Sequence, residues 1–335
     1  MGTMPKIVRF YEYGGAEVLQ IHEEALRAPG PGEVRLAVEA FGLNRSEVSF
    51  REGKYLEQPD QLPSTLGYEA SGVVDAVGAG VTEVSVGDRV STIPAFSMKQ
   101  YGVYGESAIV PATAVAAYPN GLSAQQGTAI WMSYLTAYGA LVEYGQIKAG
   151  DVVVITAASS SVGYSAIQIV KAAGAVAIAT TRGRAKRQTL LDHGADYVIV
   201  TEEEDLADRV MAISGGRGAN LIFDAVAGPL LKTLAKAAAP GATIFVYGAL
   251  GPEGGTPFPL FAALKKGLRV QGYTLFEITS NPVKLAPAKR YVYDGLAAGR
   301  LAPVIDRVFT LDQIVAAHRY MESNQQNGKI VVTVP

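Results

Sequence analysis

Residues 158 to 163, Ala-Ser-Ser-Ser-Val-Gly, follow the apolar run 152 to 156 and precede a helical pattern. A strand, a tight turn of small residues and a glycine opening a helix are the ingredients of a dinucleotide-binding turn. Unpaired amides at the helix N-terminus and the helix dipole would attract a pyrophosphate there. The usual spacing is G-x-G-x-x-G, since backbone must approach the phosphate where a side chain would intrude. Here Ala158 and Ser160 stand at the first two glycine positions, and Gly163 keeps the third. Two readings stay open for Ala158, Ser159, Ser160, Ser161, Val162 and Gly163. Either they cradle a phosphate, with serine hydroxyls as added donors, or the turn is structural and Ser161 merely caps the helix.

A second group sits where a dinucleotide fold reads the adenosine ribose, at the end of the next apolar run. An acid there would bind the 2'-hydroxyl of NAD. This chain has Thr181, Arg182, Arg184, Lys186 and Arg187 instead. A carboxylate would repel a 2'-phosphate, whereas this cluster would attract one, so the expected cofactor is NADPH. The alternative is a solvated basic helix start, which the helix dipole disfavours.

The elements that must position these groups follow from the rest of the chain. Its 335 residues exceed the span of one ordinary core and imply two domains. A 49% hydrophobic and 18% charged composition is that of a globular protein. A net charge of -2 gives no footprint for nucleic acid or an anionic membrane. No apolar run approaches the ~20 residues of a spanning helix, and the start has no signal-peptide pattern, so a cytoplasmic protein is expected. Met4 raises the expectation that Met1 to Thr3 are additions to the natural chain. Cysteine is absent, and His22, His193 and His318 are scattered, so no metal site is expected.

The first third reads as β structure. Val34, Leu36, Val38 and Ala40 alternate on one face, and valine-rich runs between 69 and 90 are broken by Gly72, Gly78, Gly80 and Gly87, the texture of a compact barrel. From about Gly127, apolar runs at 152–157, 176–181, 197–200, 221–226 and 242–248 alternate with alanine-rich helical stretches, which implies a parallel sheet covered on both faces. After the first run, Val162, Ala166, Ile169, Val170 and Ala173 fall on one helical stripe that Gly174 would end. Residues 264–276 and 328–334 return to strand-like texture around a helix at 285–301. The expected division is 1–126 with 266–335, and 127–265 inserted between them.

The chain resembles the zinc-free quinone oxidoreductase branch of the medium-chain dehydrogenase/reductase superfamily, the group that includes ζ-crystallin. Collinear stretches carry the resemblance: GLNRSEVSFREGKY (42–55), LGYEASGVVDAVGAGV (66–81), VGDRV (86–90), YGVYGESAIVP (101–111), MSYLTAYGAL (132–141), AASSSVG, GANLIFDAVAG (218–228) and the terminal GKIVV. It implies an α/β protein, with a doubly wound Rossmann sheet domain and a GroES-like β-barrel catalytic domain. In the zinc-bearing alcohol dehydrogenases of the superfamily, the ligand positions match Asn44, Tyr68 and Met132 here. A carboxamide, a phenol and a thioether make no credible zinc site.

The resemblance further implies that Asn44 holds the nicotinamide ribose or carboxamide, that Tyr55 donates to the substrate oxygen, and that Arg45 is a second donor. Quinone-reductase relatives carry a tyrosine where this chain has Ser49. Thr136 would approach the nicotinamide, Val226 and Gly248 would line the carboxyl edge of the sheet, and Lys186 would meet the 2'-phosphate. Glu69 is expected to order the site, and Lys329 to be a solvated strand-start lysine. The resulting expectation is an NADPH-dependent reductase of a quinone or α,β-unsaturated carbonyl, working without zinc. Two alternatives are an enoyl-thioester reductase, with Lys265, Lys266 and Arg269 meeting coenzyme A, and a non-catalytic NADPH-binding protein. A homodimer is expected, with the edge strands of LRVQGYTLF paired.

Overall fold

The computed structural model describes residues 4–252 and 255–335. Met1 to Thr3, and two positions of the 251–261 segment, lie outside the described residues. Two compact units are formed, one from residues up to Met132 together with Pro303–Pro335, the other from Ser133–Ala302.

The first unit begins with an antiparallel pair, β1 (Lys6–Phe10) and β2 (Leu19–Glu23). Its main sheet contains β3 (Glu33–Gly42), β4 (Glu69–Val77), β5 (Arg89–Thr92), β6 (Ser107–Pro111) and β7 (Val115–Ala117). The alternation read at 34–40 is observed: Val34, Leu36, Val38 and Ala40 are buried while Ala37 and Glu39 face out. β3 is the hub. One edge lies against β4 over most of its length, and β6 covers the first half of the other edge.

The second unit holds a parallel sheet of β8 (Val152–Ile155), β9 (Val176–Thr181), β10 (Tyr197–Val200), β11 (Ala219–Asp224), β12 (Ala238–Val246) and β13 (Arg269–Gly272). Their spatial order is β10-β9-β8-β11-β12-β13. That is the doubly wound order, and the strand sequence reverses between β8 and β11. Continuous apolar runs suit such strands because helices cover both faces. Val152 and Val154 of β8 join Ile178, Ile222 and Ile244 from the neighbouring strands, and Leu231 and Leu234 of the helix Leu230–Ala237, in one core. The helix Ser161–Ala172 buries Ala166, Ile169 and Val170, and Gly174, at φ +71°, turns the chain beyond it.

The chain then returns to the first unit as β14 (Ile305–Thr310) and β15 (Lys329–Thr333), which are parallel to each other. β15 takes the remaining half of the free edge of β3, with Val331 opposite Gly42 and Thr333 opposite Ala40.

The division differs from the expected one at both boundaries: the second unit begins at Ser133 rather than 127, and the larger difference is at its end. Residues 266–302 belong to the second unit, because β13 pairs with β12 and the helix Pro282–Ala297 follows it there. Strand-like texture alone does not say which of two sheets a strand joins. Among the described residues no helix is long and apolar enough to cross a membrane.

Candidate functional site

The second unit assembles its candidate residues at the carboxyl ends of its strands. β8 runs into Ala157, held at φ +46°, and then into the 158–163 turn. Ser160, not Ser161, is the N-cap of the helix, and its hydroxyl accepts from the Gly163 amide at 3.0 Å. The amides of Ser161 and Val162 therefore open the helix, ahead of any intrahelical partner. Gly163 is required by packing: a Cβ there would lie 2.3 Å from the Ala158 carbonyl oxygen. The turn thus keeps the third glycine for close approach and replaces the second by a capping serine. Such a helix N-terminus fits a diphosphate by donor geometry.

Next to this turn lies the basic segment after β9. Lys186 donates to Ser159 Oγ at 3.1 Å, which brings its ammonium onto the 158–163 turn. Arg182 is exposed, Thr181 closes the strand, and Arg184 is engaged by Glu203. On the other side of the reversal, Asp224 organises the β11 end. Its Oδ1 accepts from Thr156 Oγ1 at 2.7 Å and from the Val226 amide at 2.9 Å, and its Oδ2 from the Ala227 amide at 2.9 Å. Val226 is left half-buried, and Gly248 follows β12 with no room for a Cβ, which would meet the Ala225 oxygen at 2.8 Å. Thr136 is buried on the helix Trp131–Tyr138.

In the first unit, Asn44 ends the excursion from β3 and caps the helix Arg45–Arg51. Its Nδ2 donates to Glu47 Oε1 at 3.0 Å, and its Oδ1 accepts from Lys329 Nζ at 2.6 Å. An ammonium only donates and a carboxylate only accepts, so these partners fix the amide's orientation without ambiguity. Lys329 overturns the expectation of a solvated lysine: it is 1% exposed, and it also donates to Glu69 Oε2. Its stem passes over Gly42, where a Cβ would be 2.4 Å from Lys329 Cε. Glu69 does order the site, accepting the Met132 amide on Oε1 at 2.8 Å. Glu47 receives four donors: the Asn44 amide and side chain, the Tyr68 amide and the Tyr104 hydroxyl. Burial raises its pKa, while Tyr104 and Asn44 hold it down.

Asn44, Tyr68 and Met132 are thus gathered through Glu47, Lys329 and Glu69. Among the described residues no group of three His, Cys, Asp or Glu side chains could hold a metal ion. Tyr55 is half-buried, with its hydroxyl against that of Tyr68. Burial pushes its pKa up to about 12, so it is a neutral phenol, able to donate, over the ordinary pH range.

Arg45 departs from the expected set. It donates to the Met321 carbonyl at 2.9 Å and to Asn324 Oδ1, so it caps the end of the helix Ile314–Glu322. Lys266 is committed in the same manner, to the carbonyls of Ala235, Lys236 and Ala238, which removes it from any role toward an acidic ligand.

Two family models cover the chain in sequence: an alcohol dehydrogenase GroES-like domain at residues 30–157 and a zinc-binding dehydrogenase at residues 161–286. A quinone oxidoreductase of Pseudomonas aeruginosa is 30% identical over 98% of this chain and 99% of its own. The human quinone oxidoreductase is 31% identical over 98% and 97% of the two chains. Among solved structures, the Escherichia coli quinone oxidoreductase complexed with NADPH superposes with a TM-score of 0.90 at 28% identity, covering 98% of this chain and 99% of that one.

Proposed function

The chain belongs to the quinone oxidoreductase family of the medium-chain dehydrogenases/reductases, and we propose that it is an NADPH-dependent enzyme that reduces quinones or α,β-unsaturated carbonyls without zinc. The observation that carries this reading is the donor set of the first unit. Where a metal-dependent relative needs thiolate or imidazole ligands, this chain offers a carboxamide clamped by Lys329 and Glu47, a buried phenol and a thioether. The carboxamide and the phenol can donate hydrogen bonds, the thioether has no hydrogen to give, and together they do not make a Lewis-acid centre.

NADPH supplies a hydride to the acceptor carbon. The pyrophosphate is assigned to the turn 158–163, the 2'-phosphate to Lys186 with Arg182 and Thr181, and the remaining contacts to Thr136, Val226 and Gly248. Asn44 keeps one Nδ2 proton beyond its bond to Glu47 and offers it to the nicotinamide ribose or carboxamide. Tyr55 stabilises and protonates the oxygen on which charge develops, the role of a pre-aimed hydrogen-bond donor. The protein works as a cytoplasmic homodimer in this reading, with the outer edge of β13, the last strand of its sheet, as the pairing surface.

The test is the initial rate of NADPH oxidation by EDTA-treated protein with a simple quinone, an unsaturated ketone, an enoyl thioester and a plain aldehyde. Turnover of the quinone or ketone is expected. Activity on the aldehyde alone, present before EDTA treatment and lost after it, would overturn the proposal. A single-subunit mass in sedimentation would remove the dimer.

A further inference from the structure

A donor at Tyr55 must regain its proton after each turnover, and the groups behind it form a continuous line. The hydroxyl of Tyr55 meets that of Tyr68. Tyr68 is fully buried, and its hydroxyl donates to Glu57 Oε1 at 3.1 Å. Glu57 lies in the loop beyond the helix Arg45–Arg51 and is only partly buried. Its carboxylate is held from the other side by the Met98 amide, 2.9 Å from Oε1, and by the Ser97 hydroxyl on Oε2. The Glu47 carboxylate acts on Tyr55, and Lys99, paired with Asp60, lies beside Glu57. Phe96, tilted against the Tyr68 ring, walls the line on its apolar side.

We propose that Tyr68 and Glu57 are positioning residues that return a proton from solvent to Tyr55, and that this relay is the proton path of the reduction. The proposal rests on the reading of Tyr55 as donor to the acceptor oxygen. When a C–H bond forms at the acceptor, the displaced π pair settles on oxygen, which takes the Tyr55 proton. Once water has protonated Glu57, the 3.1 Å contact reverses: the carboxylic acid donates to Tyr68, whose own hydrogen turns to Tyr55, and Tyr55 takes the Tyr68 proton as Tyr68 takes that of Glu57. One acceptor, one NADPH and one solvent proton are consumed, and every relay group ends as it began. Burial, with Tyr55 and Glu57 adding to it, holds the Tyr68 phenol far above an ordinary tyrosine. The relay therefore moves its protons together in this proposal rather than through a Tyr68 phenolate, which the proton inventory below tests. Tyr68 offers a hydroxyl at a position where a phenylalanine would pack equally well, and its link to a part-exposed carboxylate is what a sealed core would not need.

The experiment compares wild type, Tyr55→Phe, Tyr68→Phe and Glu57→Gln by stopped-flow NADPH oxidation with a quinone in mixtures of light and heavy water. NADPH affinity is followed by fluorescence. The pKa of bound 4-nitrophenol, a non-reacting stand-in for the developing oxyanion, is read by absorbance in the NADP-loaded protein. The wild type should show a curved dependence on deuterium fraction, the mark of several protons in flight. Tyr68→Phe and Glu57→Gln should turn over about tenfold or more slowly, within the range typical of acid–base groups. Their deuterium dependence should be straight, NADPH affinity unchanged, and the 4-nitrophenol pKa displaced from the wild-type value. If Tyr55→Phe matches wild type, the reading of Tyr55 fails and the relay with it. If Tyr55→Phe is slow while the other two keep wild-type rates and curvature, the relay alone is overturned. Should Tyr68→Phe not fold, Glu57→Gln decides by the same criteria.

Discussion

The ammonium of Lys329 donates to the side-chain carbonyl of Asn44 across 2.6 Å, joining residues 285 positions apart in the chain. The same ammonium is paired with Glu69, and both charged side chains are 1% exposed. Removing the lysine alone strands a buried carboxylate, a loss of about 3–5 kcal/mol in comparable pairs. Lys329→Met should therefore lower stability by that order in urea unfolding. Lys329→Met combined with Glu69→Gln should recover much of it while turnover stays low, because the Asn44 amide has lost its orienting partner. Full activity in the double variant would show that Lys329 only neutralises Glu69.

The choice of cofactor is expected to reside in the segment after β9. Lys186→Ala with Arg182→Ala should weaken NADPH binding by about 1.5–3 kcal/mol, the scale of a charge-assisted contact, and leave NADH binding unaltered. Fluorescence titration with both nucleotides checks this. Equal losses for both would mean that the lysine acts on the turn, through Ser159, and not on the 2'-phosphate.

Gly163 tests the turn itself. A methyl group at this position collides with the backbone at Ala158, and overpacking of this kind costs about 1–3 kcal/mol. Gly163→Ala should lower the thermal midpoint and weaken NADPH and NADH alike, since the pyrophosphate is common to both. Unchanged binding would place the pyrophosphate elsewhere.

A pH signature should come from His318. This side chain is buried with Nδ1 3.4 Å from Arg51 Nη1, against the Tyr104 ring. Burial, then Arg51 and Arg45, lowers its pKa from 6.5 to about 3. The unfolded chain thus takes up a proton below pH 6.5 that the folded chain refuses. Its contribution is complete above 6.5 and is lost as pH falls toward 3, at up to about 1.4 kcal/mol per pH unit. Other groups change charge over the same range, so the comparison must be with His318→Gln. The difference between the two proteins' unfolding free energies should shift by that slope between pH 6 and 4, values set about the reference for histidine. A constant difference would mean that His318 is hydrated or already charged in the folded state.

Local signals in the sequence were enough for the parallel sheet and the strand–turn–helix at 152–172, since a buried parallel strand is an uninterrupted apolar run and the turn lies within six residues of it. The alternation of β3 was legible for the same reason. Pairings between distant segments were not. The run at 269–272 has the texture of a strand in either sheet, and only its bonds to β12 assign it to the second unit. Lys329 has the type and place of a solvated strand-start residue. What could have marked it is Gly42, a glycine at the close of a long strand with no turn to make, which leaves the space the lysine stem uses. Arg45 misled for the opposite reason: its neighbour Asn44 joins the Glu47–Lys329 network, but successive residues at a helix start point in different directions.

β15 supplies both the last stretch of the β3 edge and the lysine that orients Asn44. On the ribosome, Ser133–Ala302 emerges whole and can condense while the first 132 residues still wait for strands that are translated last. The inserted unit is thus the earlier one to mature, and the donor set of the host unit is assembled only when the tail docks. If the proposed site is right, a nascent chain halted before residue 329 would hold the means to grip a dinucleotide without the means to use it.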